Sequence, residues 1–273
     1  MITFPNAKIN LGLNIVSRRP DGYHNIETVF YPIPLTDSLE IVPAEGSEST
    51  LTCYGRVVDC PTEKNLVMKA YRMMEKEFGL PPVDIYLVKH IPDGAGLGGG
   101  SSDASFCMKM LNDMFKLGCT AEQLAKMASK IGADCPFFIH NKPMMATGIG
   151  DEFTPTDVCL KGKHMLLVKP DVSVPTKAAY AQVTPAPSAK PIPEILSDGM
   201  ENWQKELVND FEKSVFAQYP SLAEIKRTLL NSGATYAAMS GSGSSIFGIF
   251  SCAEMAEKAA DNFKEYSHFV IQL

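Results

Sequence analysis

Residues 94–100 read Gly-Ala-Gly-Leu-Gly-Gly-Gly, five glycines in seven positions. A run so poor in side chains can turn consecutive backbone N–H groups toward one point and let an anion approach closely. Upstream, Val83, Ile85 and Leu87 alternate with Asp84 and Tyr86, which predicts a strand over 83–90. Downstream, Ala104, Met108, Leu111 and Phe115 recur at helical spacing, which predicts a helix over 101–117 capped by Ser101 or Ser102. Strand, glycine loop and helix in that order form a polyphosphate site, because the helix start adds unsatisfied donors and a positive dipole end. A flexible linker or tight turn is the competing explanation, and the flanking elements weigh against it.

The loop also spells G-x-G-x-x-G, but a dinucleotide fold needs a strand soon after the helix and an acidic residue about 20 positions on. A second helix is expected at 120–131 instead. No Gly-Lys-Ser or Gly-Lys-Thr closes the loop, and the H-R-D and D-F-G signatures of protein kinases are missing. A nucleotide-dependent kinase of some other architecture is what remains.

A formal net charge of −6 gives no broad basic field for a nucleic-acid backbone, so no nucleic-acid partner is expected. The seven cysteines are scattered without a C-x-x-C pair, which fits reduced thiols in the cytoplasm. Lys8 and Asn10 interrupt the apolar residues of the N-terminus, unlike a secretory leader. No run approaches the roughly 20 apolar residues of a membrane-spanning helix, so no membrane association is expected.

At 273 residues the chain can hold two modest domains. Strands are expected at 2–16 and 26–33 around the turn Arg19-Pro20-Asp21-Gly22, then at 38–42 and 50–54, with an amphipathic helix over 65–78. Later come a strand at 164–169, an irregular connector over 184–193 with four prolines, a helix at 221–231, and strands at 235–239 and 245–250 around a glycine turn. A helix at 253–264 and a strand at 267–272 complete the pattern.

Three separated segments, Pro5-Asn6-Ala7-Lys8-Ile9-Asn10-Leu11, Pro92 to Ser102 and Ser240-Gly241-Ser242-Gly243-Ser244, together resemble the GHMP kinase superfamily. Within it, Arg19-Pro20-Asp21-Gly22-Tyr23-His24 and Gly132-Ala133-Asp134-Cys135-Pro136-Phe137-Phe138 are similar to the branch acting on a cytidine diphosphate-linked sugar alcohol. The resemblance spans nearly the whole chain. It implies an α+β fold of two domains: an ATP-binding domain over 1–155, like the second domain of ribosomal protein S5, and a ferredoxin-like C-terminal domain over 156–273, with substrates between them. It implies ATP-dependent phosphorylation of the 2-hydroxyl of 4-diphosphocytidyl-2-C-methylerythritol, a step toward isoprenoid precursors by the non-mevalonate route. A relative acting on homoserine or mevalonate, or a nucleotide-binding regulator without catalysis, is the alternative.

Carried over residue by residue, the resemblance makes Lys8 and Asp134 catalytic. Lys8 would stabilise a neighbouring carboxylate and the charge of the transferred phosphoryl group, and Asp134 would accept or orient the acceptor's hydroxyl proton. Taken alone, Lys8 is equally a solvated strand lysine and Asp134 a turn residue before Pro136. ATP would lie on Pro92, Asp93, Gly94, Ala95, Gly96, Leu97, Gly98, Gly99, Gly100, Ser101 and Ser102, with Asn65 at the adenine. Tyr23 and His24 would take the cytidine, Tyr180 would stack on it, and Asn10 would hold the sugar alcohol. Ser240 to Ser244 is either a lining of the substrate side or a plain hairpin turn. Magnesium is implied by ATP chemistry, with Ser101 or Ser102 able to contribute an oxygen and no acidic residue fixed as a ligand by the sequence.

Overall fold

The computed structural model describes residues 1–57 and 60–273. In chain order its elements are β1 (Ile2–Thr3), β2 (Asn6–Arg18), β3 (His24–Thr36), β4 (Ser38–Pro43), β5 (Thr50–Gly55), α1 (Leu66–Phe78), β6 (Val83–Lys89), α2 (Gly99–Met114), α3 (Ala121–Ala128), α4 (Cys135–His140), β7 (Met144–Thr147) and β8 (Glu152–Pro155). There follow β9 (His164–Lys169), α5 (Thr176–Ala181), α6 (Ile192–Ser197), α7 (Met200–Glu206), α8 (Phe211–Gln218), α9 (Pro220–Asn231), β10 (Tyr236–Met239), β11 (Ile246–Phe250), α10 (Ala253–Ala260) and β12 (Ser267–Gln272). Two compact units interleave along the chain: the first holds residues 1–7, 35–93 and 98–142, the second 8–34, 94–97 and 143–273.

In the first unit a sheet of order β1-β4-β6-β5 carries four helices on one face. The alternation of β6 sends Val83, Ile85 and Leu87 inward, where they meet Val67, Tyr71 and Met74 of α1 and Ala104, Met108 and Leu111 of α2. The side chain of Asn65 caps α1, and Gly79, at φ 65°, ends it in the left-handed conformation that a residue with a Cβ resists. Proline at position 5 breaks the expected single strand over 2–16, so β1 pairs with β4 while β2 enters another sheet.

The second unit has a sheet of order β2-β3-β7-β8 and an antiparallel sheet of order β10-β11-β9-β12. Numbered along the chain from β9, the latter order is second, third, first, fourth, the ferredoxin-like arrangement expected of the C-terminal part. Leu222, Ile225 and Leu229 of α9 and Ala256 and Ala259 of α10 pack with Leu166, Val168 and Ile246 of the sheet. Among the described residues no helix is long and apolar enough to cross a membrane.

Two further expectations need correction. The helix after the glycine loop starts at Gly99 with Gly98 as its N-cap, not at a serine, because Gly98 takes φ 70° and turns the chain into the helix by itself. The connector is irregular over 183–190, but α6 begins at Ile192 inside the proline-rich stretch. Pro193 stands in the first turn of α6, where a missing N–H costs the helix nothing.

Candidate active site

The loop leaves β6 at Lys89 and reaches α2 at Gly99. Gly94, Gly96 and Gly98 have φ of 57°, 75° and 70°, so every second residue is left-handed. Such alternation turns successive N–H groups toward one concave side, which is an anion cradle. Within the second unit the cradle is held from three directions: Lys8 N–H donates to Leu97 O at 3.0 Å, Ser240 Oγ to Gly96 O at 2.8 Å, and Ser245 N–H to Ala95 O at 3.3 Å. A Cβ on Gly96 would fall 1.9 Å from the carbonyl oxygen of Ser240, so this glycine serves a close approach as well as a turn. The segment 240–244 is thus both the β10–β11 hairpin turn and a brace under the loop.

In the first unit Asn65, Leu66, Asp93 and Gly100 line one cleft of about 160 Å³, with Lys89 and Asp103 at its wall. Asn65, Asp93 and Gly100 of the expected nucleotide set are therefore brought together. Asn65 Oδ1 accepts from Val67 N–H at 2.9 Å, so it caps α1 while lining the cleft. Ser102 is wholly buried, and its Oγ has no hydrogen-bond partner among the described residues.

Asp134 stands at the N-cap of α4, whose second residue is Pro136. Ser105 Oγ, on α2, lies 2.7 Å from Cys135 O and 2.8 Å from Ser101 O. A Cβ on Gly132 would lie 3.8 Å from Ser101 Oγ. The segment carrying Asp134 is thereby fastened to the first turns of the helix that follows the phosphate loop. Asp134 begins a helix rather than a simple turn, and sequence periodicity gave no sign of α4 because five of its six residues are buried.

The odd positions of β2, Ala7, Ile9, Leu11, Leu13 and Ile15, are core residues, and the even positions carry Lys8, Asn10 and Asn14. These polar side chains are buried too, at 4%, 2% and 8% exposure, so Lys8 is not a solvated strand lysine. Lys8 Nζ donates to Asn10 Oδ1 at 2.7 Å and lies 4.7 Å from the centre of the Phe30 ring. Asn10 Nδ2 donates to Thr28 Oγ1 at 2.9 Å, and Thr28 Oγ1 donates to Gly12 O at 2.5 Å. Thr28, which sequence reasoning missed, anchors this chain. Thr28→Val keeps the shape and strands a buried donor and acceptor, so it should cost about 2 kcal/mol in urea unfolding.

His24 and Tyr180 stack with ring centres 5.0 Å apart and planes at 17°. Tyr180 in turn meets Phe211 edge-on at 4.8 Å. Tyr23 is 62% exposed and stands apart from this stack, its N–H donating to Asp21 Oδ1 at 3.1 Å. Two of the three expected cytidine residues are thus in one aromatic cluster, and the third presents an open face.

Comparison with known proteins decides the family. The GHMP kinases N terminal domain matches residues 65–142 and the GHMP kinases C terminal domain matches residues 189–268. The chain belongs to the GHMP kinases. Among curated GHMP relatives, the 4-diphosphocytidyl-2-C-methyl-D-erythritol kinase of Bacteroides fragilis is 56% identical over 260 residues, covering 94% of this chain and 95% of its own. The enzyme of that name from Parabacteroides distasonis is 54% identical over 269 residues, covering 98% and 96%. A crystal structure of 4-(cytidine 5'-diphospho)-2C-methyl-D-erythritol kinase superposes with a TM-score of 0.85 at 31% identity, covering 99% of this chain and 98% of that one. The mevalonate kinase of Methanococcus jannaschii, at 14% identity and a TM-score of 0.74 with coverages of 100% and 98%, shares the GHMP kinase fold. The co-substrate of a GHMP kinase is ATP.

Proposed function

We propose that the chain transfers the terminal phosphoryl group of ATP to the 2-hydroxyl of 4-diphosphocytidyl-2-C-methyl-D-erythritol, in the non-mevalonate route to isoprenoid precursors. Identity of 56% and 54% over nearly the whole chain to relatives of that name is the observation that carries the acceptor. Residues 92–102 take the phosphates and Asn65 the base side, in an ATP-binding domain over 1–155 ahead of the C-terminal domain over 156–273. The amides of the cradle and the start of α2 hold negative charge without having to reorganise during transfer. Asp134 accepts the proton of the attacking hydroxyl, or orients that hydroxyl in line with the phosphorus. Lys8, already desolvated and fixed by Asn10, places a cation where charge gathers on the moving group. Asn10 and Thr28 position the sugar alcohol's end of the site.

Magnesium belongs to the same proposal. Among the described residues no three His, Cys, Asp or Glu side chains gather into a metal site. A hard oxygen donor is nonetheless present in Ser102, whose buried Oγ lacks a hydrogen-bond partner among the described residues. That suits an ion that keeps water and phosphate oxygens as most of its ligands, so Ser102 would hold it. When bound, magnesium offsets phosphate charge. A cytoplasmic location fits the seven free cysteines, and the net charge of −6 fits a small-molecule rather than a nucleic-acid partner.

A coupled assay of ADP release with this acceptor tests the proposal, and no ATP-dependent turnover from folded protein with magnesium would defeat it. Cytidine diphosphate should raise the melting temperature, since at a hundred times its Kd a ligand adds about 2.7 kcal/mol. Tyr180→Ala should raise KM for the acceptor about tenfold, as one lost base–aromatic stack is worth ~1–3 kcal/mol. Protection by homoserine or mevalonate in place of cytidine diphosphate would shift the assignment to another branch of the family.

A further inference from the structure

Lys89 ends β6 on the same inward face as Val83, Ile85 and Leu87, so the strand's two-residue repeat delivers an ammonium into the core of the first unit. Its side chain is 6% exposed and pairs with two carboxylates, those of Asp37 and, at 2.6 Å, Asp103. Asp37 lies between β3 and β4 and is wholly buried. One of its oxygens faces Lys89, and the other accepts the backbone N–H groups of His90 at 2.6 Å and Ile91 at 2.8 Å. Asp103 belongs to α2. Gly99, where α2 begins, packs so closely here that a Cβ would lie 3.0 Å from Ile91 Cγ2 and 3.3 Å from Lys89 Nζ. The chain entering the phosphate loop and the helix leaving it are thus tied at one buried cation.

We propose that Asp37, Lys89 and Asp103 form a clip that fixes the span of the phosphate loop, with the buried Asp37 acting as a positioning residue for ATP. The inference rests on the kinase proposal for the identity of the ligand. Burial opposes the charge of Lys89, but Asp103 and Asp37 outweigh it and raise the ammonium's pKa. Burial also pushes the Asp103 carboxyl above the ordinary carboxylate range, against the pull of Lys89. Two carboxylates on one cation are a costly way to fill a core, where apolar groups would do as well for stability alone. What apolar groups cannot do is hold two backbone amides and a helix at set positions on either side of a glycine-rich loop, in which only Ala95 and Leu97 bring buried side chains. Lys89 and Asp103 also reach the wall of the nucleotide cleft, so the clip acts where the ligand lies.

The test is calorimetric titration of the full chain, with magnesium, against a non-hydrolysable ATP analogue and separately against cytidine diphosphate. In Asp37→Asn a single oxygen serves either the amides or the ammonium, and the new amide group opposes a donor. Its Kd for the ATP analogue should rise at least tenfold while that for cytidine diphosphate stays within twofold. Asp103→Leu, which takes away the second carboxylate of Lys89, should follow Asp37→Asn. An Asp37→Asn protein that is folded and binds the analogue within twofold of the parent overturns the clip, as does an equal loss for both ligands. If that variant does not fold, hydrogen exchange on the unaltered, nucleotide-free chain decides. His90 and Ile91 amides exchanging as slowly as those of β6 support the clip, and fast exchange rejects it. An unaltered chain that binds no ATP analogue defeats the kinase proposal instead, and the exchange measurement still judges the clip.

Discussion

Asp134→Asn should lower kcat about a thousandfold while leaving the Kd for ATP within about threefold, because general acid–base groups contribute roughly 10²–10⁴ in rate. Asparagine keeps the size of the side chain and one acceptor oxygen. Ser105 Oγ on Cys135 O, Cys135 N–H on Gly132 O, and the proline in the first turn of α4 hold the Asp134 segment through groups the substitution leaves in place. Under the proposed mechanism, what the substitution removes is a base that takes the hydroxyl's proton or fixes its direction. Single-turnover phosphoryl transfer, measured beside equilibrium nucleotide binding, separates the two effects. An unchanged rate would remove Asp134 from the mechanism.

Gly96→Ala should destabilise the chain by about 3 kcal/mol or more and abolish measurable ATP binding in whatever remains folded. Two costs add. The residue sits at φ 75°, where a side chain is strained, and its new Cβ would stand 1.9 Å from a backbone oxygen, that of Ser240. The obstacle is main chain in a hairpin turn, so no rotamer change relieves it. Either the loop or the turn must move, and the bond from Ser240 Oγ to Gly96 O goes with it. Gly94→Ala is the control: its φ of 57° carries the conformational cost alone, since nothing lies within 4 Å of the added carbon. Urea unfolding of both variants should therefore rank Gly96→Ala well below Gly94→Ala.

Much of this fold is written in local periodicity. The strands expected at 164–169 and 267–272 have those bounds in the structure, and α1 and α9 fall within a residue of their expected bounds. Short helices were less legible. Helix α4 is nearly all buried, and α6 to α8 are 6, 7 and 8 residues long in a stretch punctuated by Pro191, Pro193 and Gly199. Fewer than three turns give a period little room to show itself.

The glycine cradle could be seen because its chemistry is local, whereas its supports could not. Thr28 is 18 residues from Asn10, Asp37 is 52 from Lys89, and Ser240 is 144 from Gly96, distances that no spacing rule spans. One signal was nevertheless there to be read. Lys89 occupies an inward position of an alternating strand, and Lys8, Asn10 and Asn14 repeat every two or four residues opposite an unbroken apolar row. Alternation of that kind ordinarily marks a solvated face. Here the polar side is covered as well, which only the assembled sheet reveals.

Because both faces of β2 are enclosed, its residues are read in a fixed frame. Inserting or deleting one amino acid in the strand before Lys8 would swap the two sides, driving the ammonium and Asn10 among aliphatic groups and turning Ile9 and Leu11 onto the polar side. Substitutions at the exposed far end, Arg18, leave that frame untouched, whereas a change of length upstream rewrites every position at once.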